Sequence, residues 1–260
     1  MLSFRSIGNL TYPEVSEELR ETSILCLPVG AIEQHGAHLP LNTDVVVAEG
    51  VTRALVGRLG EELDLWQLPT ISVSLSREHD WAPGTLSLSA VGFAAHLLEL
   101  ARGLVRGLPA RNLAIINGHG GNRGILDSLL HELRAELALN ACVLHPFDLA
   151  KAGNEPAGSD VHGGAGETSV MLALAPELVR KQMIAGAGRA SEQAVAGLIF
   201  NRGVSFPWRS DDPRLARRGI IGDPAAASAE LGRAMIDSMI EAAGAALRRL
   251  LENQRIARMG

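Results

Sequence analysis

Leu113-Ala114-Ile115-Ile116-Asn117-Gly118-His119-Gly120-Gly121-Asn122 is a short apolar run that breaks into glycines around one histidine. Leu113 to Asn117 has the length and unbroken apolar character of a strand buried on both faces. From Asn122 to Leu139, residues Leu126, Leu129, Leu130, Leu133 and Leu137 recur at three- and four-residue spacing, one face of an amphipathic helix. The segment therefore reads strand, turn, helix, with Asn122 as the helix N-cap. Its glycines permit a tight turn and close approach of a ligand, and the turn presents His119 at the rim of a sheet. A phosphate loop is the competing reading, but Gly-x-Gly-Gly with a central histidine matches neither the dinucleotide nor the Walker pattern.

The same alternation extends outward in both directions. Ser23 to Val29, Leu65 to Pro69 and Ala141 to His145 have strand character; Asp44 to Leu59 and Ala90 to Arg106 have helical spacing. A last helix is expected from Pro224 to Arg249, opened by Asp223 as a cap and Pro224 in the first turn. This interval predicts βαβ units: an α/β protein with a mostly parallel sheet, in a three-layer α/β/α arrangement formed by one domain over residues 1–260. Ligand sites are then expected at the carboxyl ends of the strands, with Phe147 to Asp160 and Asn201 to Asp223 as loops over that face.

With 260 residues, 47% of them hydrophobic and 20% charged, the chain can bury a large core. The net charge of −5 and the scattered Lys and Arg leave no basic footprint, so no nucleic-acid partner is expected. No window approaches the roughly 20 consecutive apolar residues of a membrane span, so the expectation is a cytoplasmic protein with no membrane partner. Cys26 and Cys142 sit inside strand-like runs and read as small, reduced core residues.

Two further clusters carry chemistry. In Val29 to Asp44, Glu33 and His35 are two residues apart, so in an extended segment they project from one side, and Asp44 enters across a Gly/Pro-containing turn. Imidazole and carboxylates without thiolate suit Zn, Mn or Fe. Asp160 to Ser169 places His162 and Glu167 around a Gly-rich turn that leads into a helix. Singly, Asp44 and Glu167 are explained as helix-start carboxylates. Together, Glu33, His35, Asp44, His119 and Glu167 all fall just past strand ends, where a parallel sheet gathers them.

Several motifs, in order, resemble the creatininase (creatinine amidohydrolase) family: Gly30 to Gly36 with Asp44, Glu78-His79 with Pro83-Gly84-Thr85, Asn117 to Asn122, His162 with Glu167-Thr168-Ser169, and Gly222-Asp223-Pro224. The resemblance implies two divalent metal ions, with Glu33 and His119 holding one, His35 the other and Asp44 bridging both. It also implies a proton-transfer role for His162. Creatininases carry a Tyr-Glu pair after the loop histidine, the Glu being a ligand; here those positions are Gly120 and Gly121, so Glu167 is taken as the replacement ligand, with proton shuttling as its other role. Their tryptophan lid over a flat ring has no counterpart between Cys142 and Glu167.

The expected function is hydrolysis of an amide, cyclic amide or formamide C–N bond in a small molecule by a metal-bridging hydroxide, with His162 near its ordinary pKa protonating the leaving nitrogen. The family also includes a formamide deformylase and a mycofactocin-precursor peptidase, and the Gly-His-Gly-Gly-Asn loop points to these rather than to creatinine. A short peptide is thus the alternative substrate, and a metal-free nucleotide- or sugar-binding module is the alternative of another class. By resemblance the chain is expected to form a homo-oligomer, possibly a hexamer, using the alanine-rich C-terminal helix and an exposed Glu78 to Thr85 loop. Of the remaining residues, His38 reads as a support or surface group, Glu78 and His79 as pocket or contact residues, and His96, His131 and His145 as fillers. Trp66 reads as core and Trp81 and Trp208 as pocket wall. Arg209, Arg214, Arg217 and Arg218 read as a solvated loop with Asp211 and Asp212.

Overall fold

The central strand, β1 (Ile24–Val29), is buried along its whole length yet contains Pro28. A computed structural model describes residues 5–150, 160–184, 192–199 and 203–259. Among them β1 lies between β2 (Leu65–Gln67) and β3 (Asn112–Asn117), and β4 (Asn140–Leu144) pairs outside β3, giving a parallel sheet of order β2-β1-β3-β4. Pro28 is tolerated because it faces the β2 side beyond Gln67, where β2 has ended; there its carbonyl accepts the Ile71 N–H at 3.0 Å and no ladder donor is lost.

The helices are α1 (Tyr12–Glu18), α2 (Thr43–Leu63), α3 (Ala90–Gly107), α4 (Arg123–Leu137), α5 (Pro146–Leu149), α6 (Ala165–Leu174), α7 (Glu192–Leu198) and α8 (Ala229–Met259). Strand side chains alternate between two cores. Ile24, Cys26, Ala114 and Ile116 pack against α2, α6 and α8 through Val47, Val51, Leu55, Met171, Met239 and Leu247. Leu25, Leu27, Leu113 and Ile115 pack on the opposite face against α3 and α4 through Phe93, Leu97, Leu126 and Leu133. The result is the expected three-layer α/β/α architecture. No helix among the described residues is long and apolar enough to cross a membrane.

Several local expectations need correction. Asn122 does not cap α4 with its side chain; its amide oxygen accepts from Leu75 N at 3.2 Å and its nitrogen donates to Asn117 Oδ1 at 3.2 Å, tying two loops together. Asp223 accepts from Ala225 N at 3.1 Å, but this caps only the 3₁₀ turn Pro224–Ala226, and α8 begins later, with Ser228 Oγ accepting from Leu231 N at 3.1 Å. The Glu78 to Thr85 segment is not fully exposed, since His79 and Ala82 are buried. The apolar stripe of α8, including Met235, Met239, Ala243 and Leu250, is consumed by the chain's own core. Of the two expected loops, residues 151–159 and 201–202 lie outside the described residues, Phe147 falls in the single turn α5, and residues 203–223 run as turns and bends.

Candidate metal centre

Two glycines let the first turn of α2 press onto the strand ends. A Cβ on Gly30 would lie 2.6 Å from the Val45 backbone, and one on Gly118 would overlap the Asp44 carbonyl oxygen. With both positions bare, Asp44 is delivered, buried, between Glu33 and His35 after β1 and His119 after β3. The intervening turn is closed by Glu33 N donating to the Leu41 carbonyl at 2.9 Å and Thr43 Oγ1 donating to the Pro40 carbonyl at 2.7 Å.

Asp44 faces two imidazoles with its two oxygens. Oδ1 is 3.1 Å from His35 Nε2, and Oδ2 is 3.0 Å from His119 Nδ1, which is itself 3.2 Å from Glu33 Oε1. Glu167, in the first turn of α6, brings Oε2 to 3.6 Å from His35 Nε2 and accepts the Gly163 N–H at 2.6 Å. Two sets of metal-ligand type emerge, Glu33 with Asp44 and His119, and His35 with Asp44 and Glu167, the donor atoms in each lying within 4.8 Å of one another. A third set joins Glu33, His35 and His162. His162 places Nε2 2.6 Å from the Gln34 carbonyl, so that nitrogen carries the proton, while Nδ1 lies 3.6 Å from Glu33 Oε1. All six candidate residues from the sequence are thus brought together. His38 stands apart, buried, with Nε2 2.9 Å from Thr168 Oγ1.

Burial and close opposite charges set the protonation of this cluster. Burial would raise Asp44, but His35 and His119 outweigh it and hold its carboxyl well below the usual range. Burial likewise would lower His35, yet Asp44 and Glu167 push it up to about 10, and Glu33 and Asp44 raise His119 well above its ordinary value. Burial raises Glu33, and it raises Glu167 to about 8 against the pull of His35. His162 departs from the sequence expectation: burial, then the charge on His35, drives it well below its ordinary value, so it rests as neutral imidazole.

A supporting layer was not legible as such in the sequence. His79 stacks on His162 with ring centroids 3.9 Å apart and brings Nε2 within 3.6 Å of Glu33 Oε1. Gln34 donates from Nε2 to the Gly219 carbonyl at 2.9 Å and accepts the Gly36 N–H at 2.9 Å, fixing the loop that carries His35. Ser210, fully buried, lies 2.7 Å from His79 Nδ1 and accepts from Trp81 Nε1 at 2.9 Å. Trp208 stands edge-on to His79 at 5.9 Å, and Trp66 is core, as expected. His96 and His131 are exposed and His145 is half-buried, while Arg209 and Arg214 pair with Asp211 and Asp212.

The parallel α/β sandwich, with a buried imidazole–carboxylate cluster at its strand ends, is of a class whose donor set suits a divalent metal ion. A family model described as creatinine amidohydrolase matches residues 8–247, and the chain belongs to the creatininase family. It is 33% identical over 233 residues to the mycofactocin precursor peptide peptidase of Mycobacterium tuberculosis, covering 87% of this chain and 85% of that protein. It is 34% identical over 193 residues to the creatinine amidohydrolase of Pseudomonas putida, covering 66% and 73%. A solved structure named "Creatininase Mn" superposes with a TM-score of 0.76 at 28% identity, covering 94% of this chain and 98% of that one.

Proposed function

We propose that this chain is a binuclear metal-dependent amidohydrolase acting on an amide of a peptide-sized substrate. Glu33, Asp44 and His119 would hold one divalent ion and His35, Asp44 and Glu167 the other, with Asp44 shared. The observation that carries this reading is the placement of Asp44 between two imidazoles, one on each oxygen, in a cluster where three buried carboxylate oxygens have no hydrogen-bond partner. Both oxygens of Glu33 and Oδ2 of Asp44 are buried without a hydrogen-bond partner. Such groups are costly unless a cation satisfies them, and a set of imidazoles and carboxylates suits Zn, Mn or Fe. A metal-free nucleotide- or sugar-binding module would have no use for this arrangement.

When bound, ions of this kind polarise a carbonyl and bring the pKa of a water toward neutrality. The chain's own groups do the rest. Neutral His162, anchored through Nε2–H to the Gln34 carbonyl, presents unprotonated Nδ1 to the site; it accepts the proton of the attacking water and returns it to the leaving nitrogen. Glu167, anchored by the Gly163 N–H, would serve as a ligand of the second ion, with proton shuttling as its other role. The cleft in front of them is about 1460 Å³ and is walled by Phe147, Phe206, Trp208 and Met235. That exceeds the upper end, about 1000 Å³, of pockets built for small ligands. A short peptide segment fits it better than a small flat ring, in line with relatives named as peptide peptidases.

The test is metal analysis of purified protein together with hydrolysis of a panel of short peptides, simple formamides and creatinine, followed by mass spectrometry. Close to two ions per chain, peptide cleavage lost on chelation and regained with Zn²⁺ or Mn²⁺, and loss of turnover in a folded His119→Ala variant are expected. Metal-free protein whose behaviour ignores chelators would overturn the assignment. We further propose a closed homo-oligomer, up to a hexamer, resting on the exposed apolar side chains Leu41, Leu86 and Val91 rather than on α8. Light scattering giving the 27.5 kDa of one chain would remove that part alone.

A further inference from the structure

Glu78 belongs to neither proposed ligand set, yet its carboxylate is drawn into the wall of the cleft. Its Oε1 lies 3.3 Å from Nε2 of His119, on the opposite edge of the ring from the Nδ1 that faces Glu33 and Asp44. His119 Nε2 is buried and has no well-aligned hydrogen bond, so Glu78 is the anion that faces its proton. The backbone carrying Glu78 is pinned: the 3₁₀ turn Arg77–His79 is closed by His79 N donating to the Ser76 carbonyl at 3.3 Å, and Ser210 N donates to the Glu78 carbonyl at 3.0 Å.

Gly121 makes this approach possible. A Cβ at that position would overlap both Glu78 Oε1 and His119 Nε2. The absent side chain is therefore the space in which the carboxylate meets the ring. This also gives a physical reason for glycine at 121 that does not depend on the turn itself.

The geometry points to Glu78 as the positioning residue for His119: its carboxylate accepts the Nε2 proton, so that Nδ1, which faces Glu33 and Asp44, is the nitrogen offered to a metal. Carboxylates on the outer nitrogen of a ligating imidazole fix its tautomer, hold the ring plane and raise its basicity as a ligand. The inference rests on the metal reading of the preceding subsection, because it concerns how one ligand of that site is oriented.

Chelator competition on the full chain, with Zn²⁺ and with Co²⁺ as a spectroscopic probe, tests it. Glu78→Ala is expected to weaken one of the two ions by about 10- to 100-fold, leave the other unchanged and alter the visible Co²⁺ spectrum. Glu78→Gln, whose amide oxygen still accepts the proton, is expected to recover most of the affinity. Wild-type affinity for both ions in Glu78→Ala overturns the inference. So does equal loss in Glu78→Gln and Glu78→Ala, and so does an ion missing even at saturating metal, which would make Glu78 a ligand. If Glu78→Ala does not fold, Glu78→Asp decides: its withdrawn carboxylate is expected to give the same selective loss, and unchanged affinity overturns. Wild-type protein that binds no metal sinks the preceding reading; metal-loaded wild type with an indifferent Glu78 sinks this one only.

Discussion

Gly118 carries no side chain at the point where the Asp44 carbonyl oxygen presses against it, and a Cβ there would overlap that oxygen. The helix that delivers the Asp44 carboxylate is thus seated by an absence on a neighbouring strand end. Gly118→Ala is expected to push the first turn of α2 outward and shift Asp44 by a fraction of an ångström to an ångström. Misplacement on that scale costs about 10²-fold in rate. Metal content and kcat/KM of the variant measure it; wild-type values for both would show that the close approach does not position Asp44.

Removing the metal should loosen the fold as well as stop turnover. The Glu33 oxygens and Asp44 Oδ2 have no hydrogen-bond partner, so without a cation their countercharges among the described residues are protons on His35 and His119. A ligand present at about 100 times its Kd adds about 2.7 kcal/mol, and each kcal/mol moves Tm by about 2–4 °C in a chain of this size. Chelation is therefore expected to lower Tm by about 5–10 °C, read by calorimetry. The pH dependence has a definite sign. His35 in the metal-free protein is held up to about 10 by Asp44 and Glu167 against burial, so it is protonated through neutral pH and a metal must displace that proton. Affinity is expected to rise with pH until about 10, with proton release visible by titration calorimetry in buffers of different ionisation enthalpy. Affinity flat across neutral pH would contradict the ligand role of His35.

His162→Gln separates proton transfer from metal binding. The neutral ring offers Nδ1 to the site while Nε2–H is committed to the Gln34 carbonyl. Glutamine can keep the anchoring donor but has no comparable basic nitrogen. The rate is expected to fall by roughly 10²- to 10⁴-fold with both ions retained. Loss of metal in step with activity would instead assign His162 to the grouping it forms with Glu33 and His35 as a ligand.

The parts of this site that were legible in the sequence are those tied to local periodicity. Strand-length apolar runs end just before Glu33 and His119, and a parallel sheet gathers such ends whatever the loops do. Glu33 and His35 could be paired from their two-residue spacing alone, whereas a helix start by itself explained Glu167 without a site, and its ligand role came from the family resemblance. Ser210 and Gln34 carried no comparable signal: a lone serine in a turn and a glutamine between two stronger residues become informative only when residues 203–223 fold back over the strand ends. Asn122 and Asp223 show the converse. Both have residue types suited to capping, but tertiary partners took Asn122, and a proline-bound single turn used up Asp223. The protonation of His162 was misread for a similar reason, because burial is a property of the assembled layers and not of the motif.

Creatinine turnover is expected to be negligible, and the reason lies in two places. By resemblance, creatininases place a glutamate ligand at the position of Gly121 and cover the flat ring with tryptophans ahead of His162. This chain has no tryptophan between Cys142 and Glu167, and Trp208 is occupied edge-on against His79. Restoring the glutamate should not restore the activity. A Cβ at 121 would overlap His119 Nε2 and Glu78 Oε1, so Gly121→Glu must displace a proposed ligand and the carboxylate facing it before its own carboxylate reaches any metal. Creatine formation at background level in both proteins, with lower metal content in Gly121→Glu, is the expected outcome of an assay supplemented with Mn²⁺ or Zn²⁺. Robust creatine formation by the wild type would show that neither the lid nor the ligand at 121 is needed. Its appearance in a fully metal-loaded Gly121→Glu variant would show that Glu78 and His119 yield to a side chain at 121 without losing the site.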